Sequence, residues 1–119
     1  MATAVKRKLS GSIDGKAIKV VQTATPGDTI HTAVAGTTPG TFDEIWLWAY
    51  NGHTGDVVLT LEWGGVEVPD QNIILTIPTK VGLYPVVPGL ILQNGMVVRA
   101  YANIANGITL SGYVNYITD

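Results

Sequence analysis

At 119 residues with no cysteine, the chain has the size of one domain and offers neither a disulfide framework nor a thiolate metal site. Only 13% of its residues are charged, against about 25% in an ordinary domain, and mean hydropathy is positive at +0.27, so apolar surface of the kind that marks a contact region is expected. Net charge is −2 but uneven: five cations against Asp14 make residues 1–20 basic, and eight carboxylates against Lys80 and Arg99 make the rest acidic.

The first segment, MATAVKRKLSGS, is basic and lacks the apolar core of a secretory signal. Residues 1–15 are expected to form an arm, and residues 16–119 a single domain. Within the domain, period-two segments dominate. KAIKVVQT (16–23) and DTIHTAV (28–34) each place apolar residues on one face, with His31 opposite Ile30 and Val34 in the second. IWLWAY (45–50) is apolar on both faces: Ile45, Leu47 and Ala49 on one, Trp46, Trp48 and Tyr50 on the other. It therefore needs cover on both sides. DVVLTLEW (56–63) alternates in the ordinary way, with Val57, Leu59 and Leu61 against Val58, Thr60 and Glu62, so Thr60 and Glu62 are expected to face water. IILTI (73–77), GLYPV (82–86), LILQ (90–93), MVVRAYANI (96–104) and ITLSGYVNYI (108–117) follow. These runs are rich in the β-branched and aromatic residues that suit a pleated surface.

Turn chemistry separates them. Gly64-Gly65, Asn94-Gly95 and Asn106-Gly107 are dipeptides that permit positive φ and set hairpin register. Pro78, Pro85 and Pro88 cannot donate to a ladder, so residues 78–89 are expected along an edge or in a loop. No stretch of ten residues shows a clean helical period, and no run approaches the roughly 20 apolar residues of a membrane helix. The fold class expected is all-β, an antiparallel β-sandwich.

Residues able to do chemistry are sparse. His31 lies in a strand and His53 in the turn NGHTGD, without the ligand spacing of a metal site. Asp43 and Glu44 are adjacent, so in a strand they face opposite ways and form no dyad. Glu62 and Glu67 flank the Gly-Gly turn and are read as solvated hairpin charges. No phosphate-cradling loop is present. No catalytic residue, metal or cofactor is expected. Stacked single-stranded bases would need a cationic groove, and beyond residue 20 the chain has two cations against eight anions, so no nucleic-acid partner is expected.

Three blocks carry a resemblance: HTAVAGTTPGT (31–41) with DEIWLWAYNGHTGDVVLTLEWGG (43–65), then VGLYPVVPGLILQNGMVVRAYA (81–102), then GITLSGYVNYI (107–117). Together they resemble a group of small virion proteins of tailed bacteriophages over about three quarters of the chain. The aromatic WLWAY strand and the KRK leader depart from that pattern. The resemblance implies a jelly-roll-like β-sandwich and a structural role without catalytic residues. It points to a capsid decoration or cement protein, a homo-oligomer such as a trimer. Such a protein is made in the host cytoplasm and sits on the virion surface, bridging major capsid protein subunits. A tail or fibre module binding a host glycan or another virion protein is the alternative. The residues expected at a protein interface are Lys6, Arg7 and Lys8 as a basic strap, and Trp46, Trp48 and Tyr50 as an aromatic contact. An open groove at the tryptophans beside carboxylates favours a glycan; burial against another subunit favours cement.

Overall fold

A computed structural model describes residues 2–119 as nine β-strands in two packed antiparallel sheets, with no helix among them. The strands are β1 (Thr3–Lys8), β2 (Ile18–Val20), β3 (Asp28–Thr32), β4 (Phe42–Asn51), β5 (Val57–Trp63), β6 (Asn72–Ile77), β7 (Tyr84–Leu92), β8 (Val97–Ala102) and β9 (Ile108–Thr118). One sheet has the order β1-β9-β4-β7, with β2 also on β9; the other has the order β3-β8-β5-β6.

The pairings are nested. β5 pairs with β6, β4 with β7, β3 with β8, and β2 with β9, all antiparallel. The chain is thus one long hairpin rolled over itself, with β1 and β2 together serving as its first strand. That is jelly-roll topology, and the expected sandwich is present. The inward faces alternate as a one-sided strand must. Ile45, Leu47 and Ala49 of β4 meet Val57, Leu59 and Leu61 of β5, with Val98 and Ala100 of β8 and Leu110 and Val114 of β9, all at most 1% exposed.

β7 is an edge strand, as its prolines require, and joins what reads in the sequence as two runs. Its register against β4 slips twice, so that Val86 and Gly89 are the extra residues, one beside Pro85 and the other beside Pro88. Gly89 has φ +84°, which a side chain would strain. At the β7–β8 turn Asn94 and Gly95 both take positive φ, the type I′ arrangement; at 106–107 only Asn106 does.

Two expectations need correction. Residues 3–8 are not an arm outside the sandwich: they pair with Thr118 to Tyr113 of β9 in unbroken register, and Leu9 follows them into the core at 1% exposure. Nor do Thr60 and Glu62 face water, at 4% and 1% exposure. Both point out of the core as the alternation says, but the segment before β3 crosses that face. Glu62 accepts hydrogen bonds from the Thr25 hydroxyl and, at 2.6 Å, from the Gly27 N–H. Gly27 must lack a side chain there, since a β-carbon would lie 2.3 Å from the Ala100 carbonyl oxygen. A buried carboxylate is tolerated because it is hydrogen-bonded.

Candidate interaction surfaces

The outer face of the first sheet carries an aromatic platform. Register places Trp46 opposite Tyr113, and Trp48 opposite Ser111, across the β4–β9 pair. The rings of Trp46 and Trp48 stack at 6.5 Å between centroids and those of Trp46 and Tyr113 at 6.3 Å, while Trp48 meets Tyr113 tilted at 6.0 Å. All three are half-buried. Part of the cover comes from the chain itself, because the Trp46 indole lies against the backbone at Gly89, where a β-carbon would be 2.8 Å from Cζ2. Tyr50 continues the row at 37% exposure, and Ile91, opposite Glu44, extends the same face across β7 at 54%.

Polar groups pin the platform in place. Glu44 Oε1 accepts from the Trp46 indole N–H at 2.8 Å and from the Asn115 amide at 3.0 Å. These bonds, Asn115 first and Trp46 second, hold the Glu44 carboxyl below its ordinary value of 4.5. Lys6 Nζ sits 4.5 Å from the centre of the Tyr113 ring, a cation–π contact.

The three expected strap cations do not act together. In a strand, neighbours point to opposite faces. Lys6 joins the platform. Arg7 turns the other way, its guanidinium 4.2 Å from the Tyr116 ring. Lys8 reaches back to the Ser12 carbonyl at 3.5 Å. Of the expected interface residues, the structure therefore gathers Lys6, Trp46, Trp48 and Tyr50 on one face and sends Arg7 elsewhere. Tyr113, Glu44 and Asn115 were not anticipated. Glu44 was legible, since it lies two residues before Trp46 and shares its face; Tyr113 and Asn115 needed the β4–β9 register.

On the opposite side of β1, a cavity of about 460 Å³ opens between β1 and β3, lined by Arg7, Lys8, His31, Val34, Asp43 and Val114 among others. His31 and Asp43 form its floor, with Nε2 and Oδ2 2.7 Å apart and both side chains 6% exposed. The Ser10 N–H donates to His31 Nδ1 at 3.0 Å, so the ring proton lies on Nε2 and points at Asp43. Asp43 also accepts from the Val34 N–H at 3.2 Å, and Ser10 Oγ accepts from the Thr32 N–H at 2.7 Å.

Serine, histidine and aspartate thus meet, but in an order unsuited to acyl transfer. A nucleophilic serine must offer its hydroxyl to the imidazole. Here the main chain occupies one ring nitrogen and Asp43 the other, and the serine oxygen accepts from Thr32. The cluster is a latch that fastens the segment after β1 to β3. His53 sits in the β4–β5 turn, its N–H donating to the Asn51 Oδ1 at 2.8 Å. Among the described residues no group of three metal-ligating side chains comes together. Glu62 and Glu67 form no pair across the Gly-Gly turn: Glu62 is buried, whereas the Glu67 backbone is held by Gln71 in an exposed loop.

Compared with known proteins, the chain matches no family model, no curated protein and no solved structure.

Proposed function

We propose that this is a structural virion protein of the decoration type, bridging major capsid protein subunits on the outer surface of a phage head. The observation that carries the proposal is the platform of Trp46, Trp48 and Tyr113, fixed in place yet open on its outer side. Its ordering cost is already met within the chain, through Glu44, Asn115 and the Gly89 backbone. Half-exposed aromatics held by hydrogen bonds, with apolar Ile91 and Tyr50 at their margins, fit a macromolecular partner. Burial would contribute about 25 cal/mol per Å² before association costs. The sequence blocks that resemble tailed-phage virion proteins support the choice of partner, and an oligomer such as a trimer would supply repeated contacts to a lattice. The test is add-back of the purified protein to heads assembled without it, followed by co-sedimentation and particle imaging. Saturable occupancy at lattice symmetry positions, lost in the Trp46→Ala and Trp48→Ala double variant, is expected. Absence of the chain from the head surface would overturn the proposal.

The half-open indoles beside Glu44 also favour a second reading, a tail or fibre module that stacks sugar rings. Against it, Glu44 already accepts from both Asn115 and Trp46, leaving fewer directed groups for hydroxyls. Quenching or shifting of tryptophan fluorescence by host-surface oligosaccharides, with no attachment to heads, would select this reading.

A further inference from the structure

β1 is the terminal strand of its sheet: among the described residues it pairs with β9, and all six of its residues are exposed. β3 is the terminal strand of the other sheet on the same side of the sandwich, and the 460 Å³ cavity lies between the two. A six-residue strand at a sheet edge presents unpaired main-chain groups that can accept another strand. Here the edge also has a socket beside it. Alternate residues of an added strand would face opposite ways. Those on the Arg7 side would enter the cavity, where Arg7 supplies charge at the mouth and Val34 and Val114 supply apolar wall. Those on the other side would run beside Lys6 and the aromatic platform.

From this juxtaposition we infer that the β1 edge and its adjoining cavity are a docking groove for an extended acidic segment of another protein, added as a strand. Main-chain bonds would give affinity, and the cavity would select the side chain that enters it. Charge decides the occupant. Three of six residues in β1 are cations and none is an anion, so pairing with the same strand of a second copy would bring six cations into one strand pair with no opposing charge. An acidic strand instead meets Lys6 and Lys8 on one face and Arg7 on the other. The inference deepens the decoration proposal and rests on it only for the partner's identity.

A fluorescein-labelled peptide alternating Glu and Val tests the groove in fluorescence anisotropy with the full chain. Saturable binding is expected. It should fall at least about tenfold for the matching Lys–Val peptide and for the Lys6→Glu/Lys8→Glu variant, and weaken on raising salt from about 0.05 to 0.5 M. A peptide N-methylated at alternate residues, unable to complete a ladder, should not bind. Val34→Trp, which fills the cavity while leaving the strand edge intact, should weaken binding, and an unchanged melting temperature would show that the fold is intact. Equal binding of acidic and basic peptides, full binding of the N-methylated peptide, or no saturation by about 1 mM would overturn the inference. So would self-association through β1, seen as a dimer in sedimentation that Lys6→Glu/Lys8→Glu alters. The assay contains no capsid: peptide binding without head attachment overturns the decoration proposal alone, and head attachment without peptide binding overturns the groove alone.

Discussion

Glu44 holds Trp46 from two residues away on the same strand, its Oε1 2.8 Å from the indole nitrogen. The same oxygen takes the Asn115 amide, so one carboxylate sets the ring orientation and ties β4 to β9. Its acidity is raised by the bonds to Asn115 and Trp46. The folded-state value lies below the ordinary 4.5, so this contribution to stability is fully present above about pH 4.5 and is lost as pH falls through the lower folded value. The near-ultraviolet circular dichroism of the stacked indoles should therefore stay constant from neutral pH down to about 4.5 and change below it. Glu44→Ala should show the altered signal at every pH, without that acid transition.

His31 and Asp43 present a different case, because both are buried and each completes the other. His31→Leu leaves Asp43 without its 2.7 Å partner, and the Ser10 N–H without an acceptor. Leaving such buried polar groups without a partner costs about 1–3 kcal/mol each. Urea denaturation should show a loss of that size. Ser10→Ala removes only the acceptor for the Thr32 N–H and should cost about 1 kcal/mol. Similar losses for the two variants would mean that the latch does not depend on the buried pair.

The basic leader reads in the sequence as a dispensable arm, and the ladder to β9 together with Leu9 alters what truncation should do. Removing Ala2 should leave stability unchanged. Deleting residues 1–12 strips a six-residue strand from the sheet and a 1%-exposed leucine from the core. Leu9→Ala alone should cost about 2–5 kcal/mol. The deletion should cost more than that, measured as a fall in the melting midpoint.

The period-two pattern was enough to expect strands near their observed positions, and the prolines placed β7 at an edge, because both signals are local. The cover over a strand is not local. Glu62 lies outward where alternation puts it, yet Thr25 and Gly27, 37 and 35 positions away, close over it. Leu9 stands alone among polar neighbours with no periodicity to mark it, and only the β1–β9 pairing carries it inward. IWLWAY was legible as a strand with two apolar faces. What covers the second face depended on Tyr113 and Gly89, which no short-range signal joins to Trp46.

Gly112 illustrates how closely β9 and β4 approach beneath that face. A β-carbon there would lie 1.9 Å from the Trp46 carbonyl oxygen, and main chain cannot swing aside as a side chain does. Gly112→Ala must push the two strands apart, an overpacking cost of about 1–3 kcal/mol. Because the shift occurs at Trp46, tryptophan emission should change along with the denaturation midpoint. A changed midpoint with unchanged emission would place the strain elsewhere.

Trp46 and Trp48 finally separate a stability role from a binding role. A fully buried tryptophan truncated to alanine costs about 3–5 kcal/mol. Both indoles are half-buried, and their inner neighbours on β4, Ile45 and Leu47, keep the core intact whatever happens outside. Trp46→Ala should therefore cost the isolated chain about 1–2 kcal/mol, less than Leu47→Ala at about 2–5. If the platform meets a partner, the same substitution should weaken that contact by more than 2 kcal/mol, as central aromatic anchors do. Thermal melting of the isolated chain and an affinity measurement on heads give the two numbers. A stability loss matching that of Leu47→Ala, with unchanged attachment, would make the platform a piece of the fold and remove it from the interface.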